Sequence, residues 1–497
     1  MSDANRVAVR IVEEVTAGTT PATPVFQELA ITQAPDLQFK PVTTQSQRIK
    51  SNRRTSDLPL VGAEAGGSVG HELSFEQLDI ILQAGMFSTW DNKAYRNNGT
   101  VADSMITNVS ATAYTVVATG LNALSNAKTF SQYQQITTAG FTNPGNNGNF
   151  QVDTGATTTN VPILGGGRTV EAAPPAGASI RVTGILAPSA DLALAITPNR
   201  ITSTLVNFVN CGLVVGEWIK VGSGVVGETF TTGTWSANGF WARISAVAAG
   251  SLTLDRFPIG FAADTGTGKT IQIGMGDRLI EGTTKRYHTI EEEFGDITNL
   301  YQYFTGMVVE QMEFAFDTQA IVGVTTQFQG LGANFLEAGR FAGATTVATA
   351  ARDILNTSSN VPRIGEGGVQ VTTPNIVQSG GLTVNNNLRR INGVGRIGAY
   401  DIAAGRSLIT GKLSTIFGDA TLAKKVINNT ASSFDSVFES TNQGTALVFD
   451  CPYTKYSEGA PSVPGIDQDN TVDLSFQALE DPTLGYQLLI QRFWATT

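Results

Sequence analysis

The sequence predicts a mainly β protein built from short antiparallel strands, and three observations predict it. Charged residues make up only 15% of the chain and glycine 53 of 497 positions, with Thr, Asn, Ser and Ala filling much of the remainder, a composition suited to strands joined by tight turns. Apolar and polar residues alternate with the period of a strand in several separate stretches. Turn-forming clusters punctuate those stretches. Domains usually run to about 100–200 residues, so a chain of this length is expected to hold two to four, each able to bury a core.

The first clear element lies at Val69, His71, Leu73 and Phe75, which share one strand face while Gly70, Glu72 and Ser74 share the other. A helix is expected over Glu76 to Ala84, carrying Leu78, Ile81 and Leu82 at helical spacing, with Gly85 placed to end it. A second strand-then-helix unit follows downstream: Ile409, Gly411, Leu413, Thr415 and Phe417 alternate, and Asp419 can cap a short helix holding Leu422 and Val426. Between these units, Val308, Met312, Phe314 and Phe316 are expected to face one way and Val309, Gln311, Glu313 and Asp317 the other, paired with a strand from Ile321 to Phe328. The wet face of that pair also carries Glu310. Near the end, Val472 to Ala478 and Tyr486 to Arg492 flank the turn Asp481-Pro482-Thr483-Leu484-Gly485 and read as a hairpin.

The middle, about Gly99 to Gly282, is richer in Thr, Gly, Ala and Asn and poorer in charge. Gly148, Gly177 and Ile180-Arg181-Val182 recur as Gly239, Gly268 and Ile271-Gln272-Ile273, each offset by 91 residues. The division expected is a discontinuous domain of residues 1–99 and 282–497, with inserted small β modules at 100–190 and 191–281.

Catalytic and metal chemistry find little support. Asp264-Thr265-Gly266-Thr267-Gly268-Lys269-Thr270 ends like a phosphate-binding loop, but Ala263 stands where the first glycine is needed and a strand, not a helix, follows. His71 and His288 are the only histidines, and both read as strand residues that pack. Asp467, Asp469 and Asp473 lack the glycine and late glutamate of a calcium loop. Glu291-Glu292-Glu293 reads as an exposed acidic strand edge. Cys211 and Cys451 lie far apart and read as buried small hydrophobes. No cofactor or metal is implied.

No apolar run approaches the roughly 18–20 residues of a membrane span, and Met1 to Arg10 lacks a signal-peptide pattern, so a soluble protein made in the cytosol is expected. With 42 acidic and 32 basic residues, net charge −10, the chain as a whole should repel nucleic acid. Against that background Arg48, Lys50, Arg53 and Arg54 stand out as a basic cluster in the polar segment Asp36 to Leu60. They suit an extended arm that docks on an acidic face of a neighbouring copy.

Several ordered blocks carry a resemblance to a known family. They are Ser51-Asn52-Arg53-Arg54-Thr55-Ser56-Asp57-Leu58, then Gly70-His71-Glu72-Leu73-Ser74-Phe75-Glu76, then Ile290-Glu291-Glu292-Glu293-Phe294 through Tyr301 to Met307. Asn386-Asn387-Leu388-Arg389, Gly411-Lys412-Leu413, Pro464 to Asp469, and Phe476-Gln477-Ala478-Leu479 with Asp481 to Tyr486 follow. In these the chain resembles the tail tube proteins of long-tailed bacteriophages (siphophages), with no counterpart evident for about residues 99–282. The resemblance implies an antiparallel β-sandwich or half-barrel with a flanking short helix and no enzymatic activity. It implies hexameric rings that stack around a tape measure protein, meet tail terminator and baseplate or hub proteins, and form a channel for viral DNA in the virion tail after assembly in the host cytoplasm. DNA would pass without specific binding, and Glu310, Glu313, Asp317 and Asp473 are the acids expected to face that channel. The middle would project outward as separable modules, so that joining Gly99 to Gly282 leaves assembly intact. A surface adhesion or receptor-binding β-protein is the alternative, with Trp218, Trp235 and Trp241 as glycan-stacking candidates.

Overall fold

The structure is a computed structural model that describes residues 6–33, 35–99, 104–118, 126–233, 239–298, 300–337, 339–463 and 465–494. It is mainly β, 47% strand and 4% helix, in open and largely antiparallel sheets with no closed barrel among the described residues. Nor is any described helix long and apolar enough to cross a membrane.

The first sheet runs in the order Gln38–Thr43, Leu60–Glu72, Gly323–Gly330, the second half of Tyr301–Asp317, Val377–Asn385, Leu408–Ile416 and Thr471–Ala478, every neighbour antiparallel. Alternation does what the sequence predicts: Val69, Met312, Phe314, Phe316, Leu382, Leu413 and Phe476 are buried on one face. Glycine in these strands makes room for rings. A Cβ on Gly380 would lie 2.3 Å from Phe316, and one on Gly411 2.2 Å from Phe476.

A second sheet covers that apolar face. Its strands are Arg363–Glu366, Ser432–Ser440, Thr445–Glu458, Leu489–Phe493 and Asp277–Ile280. Phe314 meets Phe449 at 4.9 Å, and Phe316 meets Phe438 at 5.8 Å and Phe434 at 6.5 Å between ring centres. The end of Thr445–Glu458 also pairs with Thr471–Ala478, so the two sheets are continuous along one side, a sandwich closing towards a half-barrel. The first half of Tyr301–Asp317 turns away to pair with Tyr287–Phe294 and Gly332–Glu337, and Val7–Glu14 joins beyond.

Four local expectations change. Helix Asp79–Met86 ends at Phe87, which adopts the left-handed conformation (φ 50°) and donates its N–H to Gln83 O. Gly85 lies inside the helix, where a side chain would meet Met312 Sδ at 2.3 Å. The register slips between Val309 and Gln311 on the strand Tyr301–Asp317. This bulge reverses parity, so Val309 joins the main core while Val308 packs with Phe87, Leu331, Leu388 and Ile402 on the opposite face. Thr471–Ala478 and Leu489–Phe493 do not pair with each other; each takes part of one edge of Thr445–Glu458. The second strand-helix unit forms, but the N-cap of helix Thr421–Ile427 is Ala420, which makes no side-chain cap bond; Asp419, one residue earlier, accepts the Thr421 N–H on Oδ1 at 2.8 Å.

Glu291-Glu292-Glu293 is no edge, because Tyr287–Phe294 has a neighbour on both sides. Glu291 is fully buried and gathers Arg10 Nη1 at 2.8 Å, Arg340 Nη2 at 2.8 Å and the Tyr303 hydroxyl at 3.0 Å. Glu292 is also buried, between Val9 and Gln302, and desolvation pushes its carboxyl up to about 7.

The middle forms a third layer. Its main sheet runs Gly148–Gln151, Gln134–Ala139, Ser179–Leu186, Gln272–Met275, Trp218–Val221, Phe240–Ala248, Ser251–Arg256, Asn199–Thr202 and Ala193–Ile196, with Tyr95–Asn97 beside Ser179–Leu186. The six strands centred on the antiparallel pair Ser179–Leu186 and Gln272–Met275 are arranged symmetrically about it, and the sheet runs three strands further on the Gln272–Met275 side. On each side a hairpin, Gln134–Ala139 with Gly148–Gln151 or Trp218–Val221 with Phe240–Ala248, later receives one of these two strands beside its first member. The repeated glycines hold similar places: Gly148 opens the second hairpin strand of one half and Gly239 immediately precedes that of the other, while Gly177 and Gly268 precede the returning strands, all at positive φ. The two halves nevertheless share a core, since Leu192, Leu194 and Ile201 cluster with Ile136 and Ile180 across the expected boundary near residue 190.

This layer is not a detachable projection, because it packs on the outer face of the second sheet. Trp218 and Trp241 are buried with Val437, Val448, Leu489 and Phe493, the last in edge contact with Trp241 at 4.8 Å. Asp450 pairs with Arg256 and, at 3.2 Å, with Arg243; Asp435 takes Arg363 Nε at 2.6 Å and Arg256 at 3.7 Å. Glu439 pairs with Lys220 and accepts Trp241 Nε1–H at 3.0 Å.

Joining Gly99 to Gly282 would therefore bare an apolar face and strip Asp450 and Glu439 of their cations, and losing one partner of a buried pair alone costs about 3–5 kcal/mol. Such a deletion is expected to abolish soluble folded protein, checked by yield and thermal unfolding. A second expectation concerns Glu292. Its folded-state carboxyl holds a proton up to about 7 against an ordinary 4.5, so it lowers stability as pH rises through that interval and no further above it. Glu292→Gln should be more stable than the native chain above pH about 7 and equal to it below about 4.5, read from urea unfolding across that range.

Candidate functional site

The face of the first sheet away from the core is polar and continuous. In register across it lie Gly70, Thr325, Glu313, Thr383, Thr410 and Gln477, and in the next row Gly323, Ala315, Gly381, Lys412 and Ser475. Asp317, Ser379, Ser414 and Asp473 form a third row. Short side chains dominate, leaving a shallow surface in which the carboxylates, Lys412 and Gln477 are the long groups.

The structure thus brings Glu313, Asp317 and Asp473 onto one face. Lys412 Nζ lies 3.9 Å from Glu313 Oε1, both exposed, and Ser414 Oγ donates to Asp473 Oδ1 at 2.5 Å. Glu310 stands apart. It is the residue at the register slip and lines a separate hollow with Asp36, Lys40, Glu64 and Arg390, where Arg390 Nη1 meets Glu64 at 3.1 Å.

Arg48, Lys50, Arg53 and Arg54 sit on a projecting hairpin. Strands Gln38–Thr43 and Leu60–Glu72 run past the end of Gly323–Gly330, and the pairing continues through Thr44 N–H to Pro59 O (3.1 Å) and Ser46 N–H to Asp57 O (3.0 Å). The chain turns where Arg53 N–H reaches Lys50 O at 3.0 Å. All four basic side chains are exposed at this tip. From Lys40 to the turn the arm reaches on the order of 35 Å. A second hairpin, Arg389–Ile391 with Asp401–Ala403, stands beside it through Arg390, and nothing in the strand alternation had marked it.

The remaining candidates are structural. His71 Nδ1 lies 2.9 Å from Ala30 O, and His288 is fully buried, which pushes its imidazole down to about 4. In the loop 263–270, Asp264 accepts N–H groups from Gly266, Thr231 and Thr232, and strand Gln272–Met275 follows. Among the described residues no group of His, Cys, Asp or Glu could hold a metal ion. Cys211 and Cys451 are buried, with thiols pushed up by desolvation. Trp218 and Trp241 are buried against the second sheet, which removes them as glycan platforms; Trp235 lies outside the described residues.

A family model for phage tail tube proteins matches residues 4–210 and 224–478. The chain belongs to the phage tail tube protein family. It is a structural subunit that assembles with copies of itself into the tail tube of a virion. The match runs through most of residues 100–281, where the sequence alone offers no counterpart, so the third layer falls within the family's pattern. None of the curated proteins matches the chain significantly.

In the tube subunit the two faces of the first sheet should respond oppositely to substitution. Glu313→Lys with Asp473→Lys is expected to change stability by no more than about 0.5 kcal/mol, because both side chains are partly or fully exposed. Phe314→Ala, on the same strand but facing Phe449, should cost about 3–5 kcal/mol. Urea unfolding of the two variants checks the contrast.

Proposed function

We propose that the subunits close into hexameric rings, that the rings stack around a tape measure protein between tail terminator and baseplate or hub proteins, and that the polar face of the first sheet lines the channel through which DNA is ejected. Assembly takes place in the host cytoplasm of a siphophage. The observation that carries this reading is the one-sided sheet: seven strands wide, polar and shallow on one face, and covered on the other by two further layers. Facing that surface inward puts the third layer outside, where it does not narrow the channel.

The chemistry of the face suits passage without binding. Duplex DNA held at many phosphates by a cationic wall would gain counterion-release affinity at every ring. Glu313, Asp317 and Asp473 outnumber Lys412 on the described face, so each ring would repel the duplex weakly. The exposed arm carrying Arg48, Lys50, Arg53 and Arg54 supplies contacts between copies.

Two outcomes are expected. Purified protein at high concentration should sediment as rings or tubes, and replacing the four arm cations with Ser should weaken stacking without lowering the thermal midpoint. A chain that stays monomeric at every concentration and salt would sink the reading. Assembled tubes should also fail to retain duplex DNA at physiological salt in a filter-binding assay, whereas tight retention would overturn the passive channel.

A further inference from the structure

The first sheet sends its loops to two opposite ends, and the ends differ in charge. Because its strands alternate in direction, connections 44–59 and 386–407 leave at one end, while 318–322, 371–376, 417–431 and 465–470 leave at the other. At the first end the four arm cations are joined by exposed Arg389, Arg396 and Arg406. The acids on these two connections are Asp57, and Asp401, which Lys285 holds at 2.9 Å; exposed Glu480 follows Thr471–Ala478 at the same end, on the opposite edge of the sheet from the arm. At the second end Asp317, Asp419, Asp467, Asp469 and Asp473 are all exposed. Lys424 is the exposed cation there, while Lys425 is turned to Glu366 at 2.5 Å.

Each end also displays apolar side chains to solvent. Ile49, Leu58, Val394 and Ile397 are exposed at the basic end, and Ile321, Ile376, Ile427 and Ile466 at the acidic end. The acidic end is held in shape by its own loops: Phe417 N–H reaches Asn470 O at 2.8 Å, Ile416 N–H reaches Ile376 O at 2.8 Å, and Asn375 Nδ2 donates to Asp419 at 3.1 Å.

We infer that the basic end of one copy docks on the acidic end of the next, head to tail, with the arm reaching the rim that bears Asp467 and Asp469. The inference rests on the tube reading and names the acceptor of the arm. The occupant is a second copy because the two complementary surfaces belong to one chain. They are different surfaces, so the contact is heterologous and generates an open stack rather than a closed pair. Opposite charge selects this polarity and disfavours joining like ends. The attraction is screened over about 8–10 Å at ordinary ionic strength, so stacking should weaken as salt rises.

Charge exchange tests it. Asp467→Lys with Asp469→Lys should leave rings that do not stack, and so should Arg48→Glu, Lys50→Glu, Arg53→Glu and Arg54→Glu together, each set with an unchanged thermal midpoint. Combining both sets in one chain should restore stacked tubes in negative-stain images. As a check independent of charge, Arg53→Cys combined with Asp469→Cys should give a ladder of disulfide-linked multimers on oxidation, since Cys211 and Cys451 are buried and do not compete. Native stacks that survive the aspartate reversal, a combined variant no better than either set, or no ladder would each overturn this contact and leave the tube reading standing. A native chain that never stacks would instead defeat the tube reading and this inference with it.

Discussion

Everything in the subunit follows from one sheet having to be dry on one side and wet on the other. Strand alternation alone provides this, since successive side chains point to opposite faces. The dry side must then be covered, and Phe434, Phe438 and Phe449 of the second sheet cover it. The second sheet in turn presents a face that is neither wet nor simply apolar. Asp435, Asp450 and Glu439 lie on it beside Val437, Val448 and Phe493, and all are buried. Arginines and a lysine from the middle of the chain complete that face, so the third layer is required by the second as the second is by the first.

The buried ion pairs explain why the middle resists being treated as an appendage. Arg256 bridges Asp435 and Asp450, and Arg363, on the second sheet itself, reaches Asp435 as well. Such networks contribute little net stability when complete and are costly when broken. Their effect here is to fix the orientation of the outer layer. Gln491 adds to it by exchanging hydrogen bonds with the Trp218 backbone at 2.9 and 3.0 Å.

Much of the fold was legible in the sequence wherever periodicity was local. The Met312 to Phe316 alternation, the strand-helix unit with Asp419 at its joint, and the wet-face positions of Glu313, Asp317 and Asp473 are all local properties of the chain. What stayed hidden depends on partners. A bulge at Glu310 reverses the faces of Val308 and Val309, and nothing in the residues themselves announces it. Glu291 reads as a solvated edge until Arg10 and Arg340, hundreds and tens of residues away, are brought to it. The alternation in 472–478 and 486–492 is real, yet period alone does not say which strand lies alongside. The 91-residue repeat appears as shared connectivity, while its single core depends on contacts between the halves.

In the proposed tube the polar face of the first sheet looks into a channel and the middle of the chain looks out. A cryo-EM reconstruction of tubes assembled from the purified protein tests it most directly. Glu313, Thr383, Lys412 and Asp473 are expected on the lumen wall, with the third layer at the largest radius. A map placing residues 100–281 around the lumen, or the first sheet on the outer surface, would contradict it.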